Sequence, residues 1–310
     1  MNLVTGGAGF IGSHVAERLV RRGERVRVLD NFVTGKREYL NGLSGHLELI
    51  EGDICDLDTL RKAMKGVRVV YHQAALRSVP FSVDNPLASN EANVRGTLNV
   101  LVAARDAGVE RVVYASSSSV YGDSPVLPKE ESQACKPVSP YAVSKLAGEN
   151  YCVVFTKIYG LQTVSLRYFN VFGPRQDPES QYAAVIPRFI TWAFRDEPLQ
   201  VHGDGLQSRD FTYIDDVVEA NLLAARASDC GEGVFNIAQG KAHSLLDLIA
   251  ILERLLGKRL KVVHTASRPG DVRRTLADIS RARRYLGYEP GTDFETGLVK
   301  TVDYLRRHGL

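Results

Sequence analysis

The chain has 310 residues, enough for one large or two modest domains with a real core, and its 44% hydrophobic and 24% charged content is that of an ordinary globular protein. A formal net charge of only +3, with dispersed Lys and Arg and no interleaved basic and aromatic patches, argues against nucleic acid as a partner. The four cysteines (Cys55, Cys135, Cys152, Cys230) form no C-x-x-C pair, and no apolar stretch reaches the length of a membrane span. The expectations are reduced, mostly buried thiols, no metal site, no membrane association and a cytoplasmic location. Met1 leads directly into the first strand, which leaves no room for a signal peptide.

In chain order, residues 2–5 suit a short buried strand, and Gly6, Gly7, Gly9 and Gly12 follow at once. Ile11, Val15, Leu19 and Val20 then recur at helical spacing. A strand therefore turns through glycines into a helix. Gly6 permits the tight turn, Gly9 lets the backbone approach a pyrophosphate, and Gly12 lets helix and strand pack closely. The helix N-terminus offers free N–H groups and a positive dipole end to phosphates. A second strand, 25–30, ends in Asp30, where an acid takes the ribose hydroxyls of NAD. Asn31 and Phe32 follow, not an Arg suited to a 2′-phosphate, so NAD is expected over NADP.

Further strands are expected at 47–51, 67–72, 111–116 and 162–169, with helices at 9–22, 57–65, 86–107 and 141–159. Such alternation, with strands buried on both faces, means an α/β fold with a Rossmann-like, doubly wound parallel sheet. Each strand ends in polar or small residues: Thr5, Asp30, Asp53, Gln73-Ala74-Ala75, Ser116 to Ser119, and Asn170. A nucleotide cleft outside the carboxyl ends needs such a row. After Asn170 the rhythm breaks. Helices at 183–194, 215–227, 245–256, 279–285 and 294–306, with strands at 199–202, 234–237 and 259–264, make a smaller mixed α/β domain. The division is 1–170 for NAD and 171–310 for substrate, with segments near 200–225 able to return to the large sheet.

Two further features carry chemistry. Tyr141 and Lys145 stand four apart on one helical face, and an ammonium near a phenol favours the phenolate, a base for a hydroxyl proton. Ser116 to Ser119 end the fifth strand, with hydroxyls placed for a reacting oxygen.

These residues make the chain similar to the extended short-chain dehydrogenase/reductase family, and within it to the nucleotide-sugar epimerases and dehydratases. The resemblance runs the whole length, through TGGAGFIG (5–12), SSSSVYG (116–122), SPYAVSK (139–145), LRYFNVFGPRQDP (166–178), QSRDFTYIDDV (207–217) and RPGDV (268–272). It implies that Phe10, Ile11, Asn31, Asp53, Ile54, Ala74, Ala75 and Asn93 lie along the cofactor with the glycines and Asp30. Ser117 would bond the sugar O4, Tyr141 would be the base, and Lys145 would hold the nicotinamide ribose. Asn170, Arg209 and Arg268 are expected at the diphosphate, and Ala184, Val185, Gln200, His202, Asp271 and Ser118 elsewhere along the substrate. The family also implies a homodimer built on the helices at 86–107 and 141–159.

Dehydratases of this family carry an Asp-Glu pair where Ser118 and Ser119 stand here, so elimination lacks its proton shuttle. The reaction implied is C4 epimerisation of a UDP-hexose through a transient 4-keto sugar, with hydride passing to and from a resident NAD. Thr275 stands where enzymes strict for UDP-glucose carry a bulky Tyr, which leaves room for a 2-acetamido group and extends the expected substrates to UDP-GlcNAc and UDP-GalNAc. Arg77 keeps open a carboxylated sugar, as in a UDP-glucuronate 4-epimerase or decarboxylase. A 4-ketoreductase is disfavoured by Asp30, and a non-catalytic NAD-binding protein by the intact Ser117, Tyr141 and Lys145.

Overall fold

The structure, a computed structural model, describes residues 1–43, 47–178, 184–231, 233–266 and 273–308. The first half alternates as its sequence pattern requires. β1 (Asn2–Thr5) is buried on both faces and turns through glycine into α1 (Phe10–Arg21). β2 (Val26–Asp30), β3 (Leu47–Glu51), α2 (Leu57–Ala63) and β4 (Val69–His72) follow. Next come α3 (Val79–Asp84), α4 (Pro86–Asn90), α5 (Gly96–Asp106), β5 (Arg111–Ser117), α6 (Pro140–Tyr159) and β6 (Gln162–Tyr168). The expected helix at 86–107 is interrupted: a π-helical turn at Glu91–Arg95 joins α4 to α5. α3 went unread in the sequence, although Ser78 caps it and Pro80 stands in its first turn.

The second half holds β7 (Val171–Phe172), α7 (Val185–Phe194), β8 (Leu199–His202), β9 (Ser208–Asp210), β10 (Thr212–Tyr213), α8 (Ile214–Arg226) and β11 (Val234–Ile237). It ends with β12 (Ala242–Ser244), α9 (Leu245–Leu256), β13 (Val262–Thr265), α10 (Ser280–Leu286) and α11 (Phe294–Arg307). Ser244 and Asp247 close a reciprocal cap on α9.

Seven parallel strands form one sheet in the order β11-β6-β5-β4-β1-β2-β3. The strand read at 234–237 with the second half is therefore an edge of the large sheet, paired to β6. The remaining strands join as β7–β10, β8–β13 and β9–β12. Two apolar layers cover the sheet. Val15 and Leu19 of α1 and Val217 of α8 pack on one face, and Leu60, Val100, Leu101 and Phe155 on the other. The first layer runs on into the second half, where Phe172, Phe211, Tyr213 and Phe294 pack ring against ring. All four cysteines are free thiols, but only Cys152 is fully buried.

Candidate active site

The carboxyl ends of β1 to β6 open onto a cavity of about 510 Å³. It lies at the crevice between β1 and β4, where the strand order reverses, the place at which doubly wound sheets take ligands. Gly6, Gly9, Phe10, Ile11, Gly12, Asp30, Asn31, Asp53, Ile54, Ala74 and Ala75 all line it, as do Arg77, Ser117, Ser118, Tyr141, Lys145 and Asn170. Gly6 has a φ of +66°, and a Cβ there would stand 2.7 Å from the Ala74 backbone. A Cβ at Gly12 would overlap the Gly6 carbonyl oxygen. The first turn of α1 has no side-chain cap and no acidic residue. Its N–H groups are thus left for an anion, and the cradle fits a pyrophosphate.

Asp30 accepts from the Ala8 and Phe32 N–H groups, both at 2.8 Å. Burial pushes its carboxyl up, with those two donors opposing. At Asp53 burial is outweighed by the Cys55 N–H at 2.7 Å and the Asn31 amide at 2.8 Å, and its carboxyl is held below the usual range. Asn93 does not line this cavity. It is buried, clamps both backbone groups of Leu76 at 2.8 and 2.9 Å, and reaches Ser144 Oγ of α6 at 3.0 Å. It therefore braces the Ala74–Leu76 wall.

Behind the glycine turn, His72 is held neutral. Thr97 donates to the Asn93 carbonyl, so it accepts from His72 Nε2 at 2.9 Å, which leaves Nδ1 to accept from Thr5 Oγ1 at 2.7 Å. Burial, and then Lys145, press its basicity far down.

Tyr141 and Lys145 lie on the buried stripe of α6, with Ser139 capping the helix and Pro140 opening it. The Tyr141 N–H is taken by Ser82 Oγ at 3.1 Å. Lys145 Nζ donates to the Ala115 carbonyl at 2.8 Å and stands 5.9 Å from the centre of the Tyr141 ring. The sequence pattern pointed to Lys145 as the group acting on the phenol. Instead burial raises the Tyr141 phenol, and the Ser117 hydroxyl and the Arg77 charge oppose it. Lys145 is itself pushed down to about 8, by burial above all. Ser117 Oγ donates to Ser119 Oγ at 3.1 Å and accepts from the Ser119 N–H at 3.2 Å, fixing the strand end.

A second cavity of about 470 Å³ adjoins the first, and Val79, Asn170, Val171 and Gln176 line both. Ala184, Val185, Gln200, His202 and Arg209 line this second cavity alone. Thr275 lines neither. Its Oγ1 accepts from the Asn170 amide at 3.3 Å and from the Asp210 N–H at 3.2 Å, and so holds Asn170 in its left-handed conformation (φ +33°). Arg268 and Asp271 lie outside the described residues. Just after β7 the chain is pinned to α1: His14 Nε2 donates to the Pro174 carbonyl at 2.9 Å, and Arg175 pairs with Glu17 at 2.5 Å.

Sequence reasoning missed Gln176, Trp192 and Phe189. The last two lie on the apolar helix α7, and the fold shows them opening onto a cavity. Val79 and Pro80 were missed along with α3. Among the described residues no cluster of His, Cys, Asp or Glu is arranged to hold a metal, and no helix is long and apolar enough to cross a membrane.

A dinucleotide cradle, a Ser-Tyr-Lys set in its wall and an adjoining, largely apolar cavity that carries Arg209 define an enzyme of dinucleotide-dependent chemistry. The chain belongs to the NAD-dependent epimerase/dehydratase family, whose pattern its residues 2–238 match. A relative called a putative UDP-glucose 4-epimerase, from Methanocaldococcus jannaschii, is 38% identical over 310 residues, 99% of each chain. A UDP-glucuronate 4-epimerase from Thermodesulfobacterium geofontis is also 38% identical, covering 99% of this chain and 96% of its own. Among solved structures, the UDP-N-acetylglucosamine 4-epimerase of Methanobrevibacter ruminantium M1, in complex with UDP-N-acetylmuramic acid, superposes with a TM-score of 0.95. It is 41% identical and covers 99% of this chain and 98% of its own.

Proposed function

We propose that the chain inverts C4 of a UDP-hexose, interconverting UDP-glucose and UDP-galactose and, with them, UDP-GlcNAc and UDP-GalNAc. The observation that carries this is the cavity pair: Ser117, Tyr141 and Lys145 at the cofactor cradle, continuous through Asn170 and Gln176 with a second cavity that carries Arg209. Bound NAD supplies a reversible hydride acceptor at sugar C4. The chain's own residues do the rest. Gly6, Gly9, Gly12, Asp30 and Asp53 hold the dinucleotide, and Lys145 holds its nicotinamide ribose. Ser117 orients the 4-hydroxyl, and Tyr141, as the phenolate that the positive charge of bound NAD and of Lys145 would favour against burial, takes its proton and later returns it. Arg209 and Asn170 grip the nucleotide diphosphate while the sugar turns. Ser118 and Ser119 give no carboxylate for elimination. In this reading the chain divides near residue 170, with α8 and β11 returning to the first part, and the protein works in the cytoplasm.

One observation favours a second reading. Arg77 lines the same cavity as the serines, so a sugar carrying a C6 carboxylate would find a cation and hydroxyls in its wall. The test is product analysis by NMR after incubation with UDP-glucose, UDP-GlcNAc or UDP-glucuronate, with no NAD added. C4 epimers of the first two support the proposal. Conversion of UDP-glucuronate alone replaces it with the second reading, and no conversion even with NAD supplied sinks both.

We also infer a homodimer. Val83, Leu87, Val143 and Ile158 of α3, α4 and α6 are exposed, Leu87 by 84%. An apolar face of this kind suits a second copy of itself. Light scattering should give twice the chain mass, and Leu87→Glu should shift it toward the monomer.

A further inference from the structure

Behind the catalytic strand end lies a charged pair that the chemistry above does not use. Glu149 and Arg167 are 3% and 5% exposed. Arg167 reaches the carboxylate side-on, Nε to Oε1 at 2.9 Å and an η-nitrogen to Oε2 at 2.8 Å. The Ser116 hydroxyl donates to the same Oε1. Arg167 continues to Tyr121 Oη at 2.9 Å, and Tyr121 to Asn236 at 2.6 Å. A buried ion pair is weak evidence for stability, because desolvating both charges consumes most of their attraction. Its placement is the informative part. Ser116 precedes Ser117 on β5, and Glu149 stands one turn beyond Lys145 on the buried stripe of α6.

We propose that Glu149 is a positioning residue of the active site. Through Ser116 it fixes the strand end that carries Ser117, and its carboxylate is the buried negative charge that keeps Lys145 an ammonium. The groups around Lys145 are the Ala115 carbonyl and the Tyr114 ring on β5, His72 on β4, and Tyr141, Glu149 and Cys152 on α6. His72 is neutral, the Tyr141 phenol is raised, and the Cys152 thiol is pushed up to about 12 by burial. The Glu149 carboxylate, held by the Arg167 guanidinium and the Ser116 hydroxyl, is therefore the acidic group of this set. Burial, which brings Lys145 down to about 8, is opposed first by Glu149. Without Glu149 the ammonium would give up its proton at lower pH.

The role of Glu149 can be read on Lys145 directly, independent of which sugar the enzyme takes. In protein labelled with carbon-13 lysine, the Lys145 Cε resonance is the one absent from Lys145→Met. Its titration midpoint should fall by about one pH unit in Glu149→Gln, the order of effect of a neighbouring opposite charge. Glu149→Asp should restore most of it. Glu149→Gln leaves Arg167 unpaired and could fail to fold, so Glu149→Gln with Arg167→Gln, which removes both charges, is measured beside it. The same variants should move the alkaline limb of kcat downward by a similar interval. A purely structural role predicts lower activity at every pH with the limb in place. An unmoved Lys145 midpoint in either folded variant overturns the proposal. If the wild type converts no UDP-sugar, the function proposed above fails while the resonance still decides this point.

Discussion

The two cavities are built on different principles. The cofactor cavity sits on one continuous sheet, and its residues follow strand ends that are fixed by registers of four to seven residues, on both sides for every strand but the edge strand β3. The second cavity hangs on pairs of short strands and on α7, and its parts are joined by side chains that act across long stretches of chain, as Asn170 and Thr275 do over 105 residues. The first is a local design repeated along the sheet; the second is an assembly. Rigid support suits a resident cofactor whose reactive atom must meet Tyr141 in fixed geometry. A looser assembly suits a sugar that must turn over while its nucleotide stays held.

The largest effect should come from Tyr141→Phe. Turnover should fall by about 10³-fold, the scale of a lost general base, while NAD stays with the purified protein. Absorbance and chromatography of the released cofactor test the second half of that statement. If NAD left as well, the separation between holding and reacting would be broken.

Gly12→Ala should be next. Its Cβ would meet the Gly6 carbonyl, backbone that cannot give way. NAD should be lost and the melting temperature should drop, at a cost of about 1–3 kcal/mol. Binding of UDP, measured by calorimetry, should survive, because the second cavity rests on other elements. Equal loss of both would mean that the cavities are one cooperative unit.

Thr275, which lines neither cavity but braces Asn170 in the wall of both, sharpens the contrast. Thr275→Tyr should depress kcat/KM for N-acetylated substrates by about 10-fold relative to UDP-glucose, the order set by excluding a small group from a pocket. Thr275→Val keeps the size and removes the acceptor for Asn170 and Asp210. It should lower both substrates a few-fold and leave their ratio unchanged. A changed ratio in Thr275→Val would assign selectivity to the hydrogen bonds instead of the volume.

The smallest effects should come from pH, with opposite signs in the two regions. His14, at the join of α1 and the Pro174 loop, is held at about 4 by burial and by Arg175. In the unfolded chain it titrates near 6.5, so the stability linked to its neutral form is present above that value and is lost as pH falls toward 4. Asp210 is raised to about 7 by burial, against the pull of its backbone donors. Its contribution is full below about 3.8 and is lost as pH rises through 7. Hydrogen exchange corrected for intrinsic rates should show α1 loosening first in acid and the β9–β12 joint first above neutrality. The reverse order would refute both assignments.

The same contrast explains what the sequence made legible. Gly6 to Gly12, Asp30, Asp53, Ser117, Tyr141 and Lys145 announce themselves because each stands in a short motif whose local geometry is dictated by neighbours. Apart from α3 and the π-helical turn at Glu91–Arg95, element types along the first half were readable for the same reason, to within a few residues at each end. β11 was misplaced because nothing in Val234–Ile237 tells a strand which sheet to join. β7, β9, β10 and β12 are two or three residues long, below any periodic signal. The reversal of emphasis at Tyr141, from Lys145 to burial, depends on how closely β5 packs on α6, which no spacing reveals. Gln176 escaped because a glutamine after Gly-Pro-Arg reads as solvated loop until the loop is seen pinned to α1.

Trp192 is the only tryptophan in the chain, and it stands in the wall of the second cavity with the Arg188 guanidinium 5.6 Å from its ring centre. The protein therefore carries one indole, which can be excited at wavelengths its thirteen tyrosines do not absorb, and it is mounted on the assembled side of the site. Indole emission from the native, unlabelled enzyme reports what enters that cavity. Stopped-flow traces of nucleotide-sugar arrival can be recorded on it directly, with cofactor events followed separately by the nicotinamide absorbance.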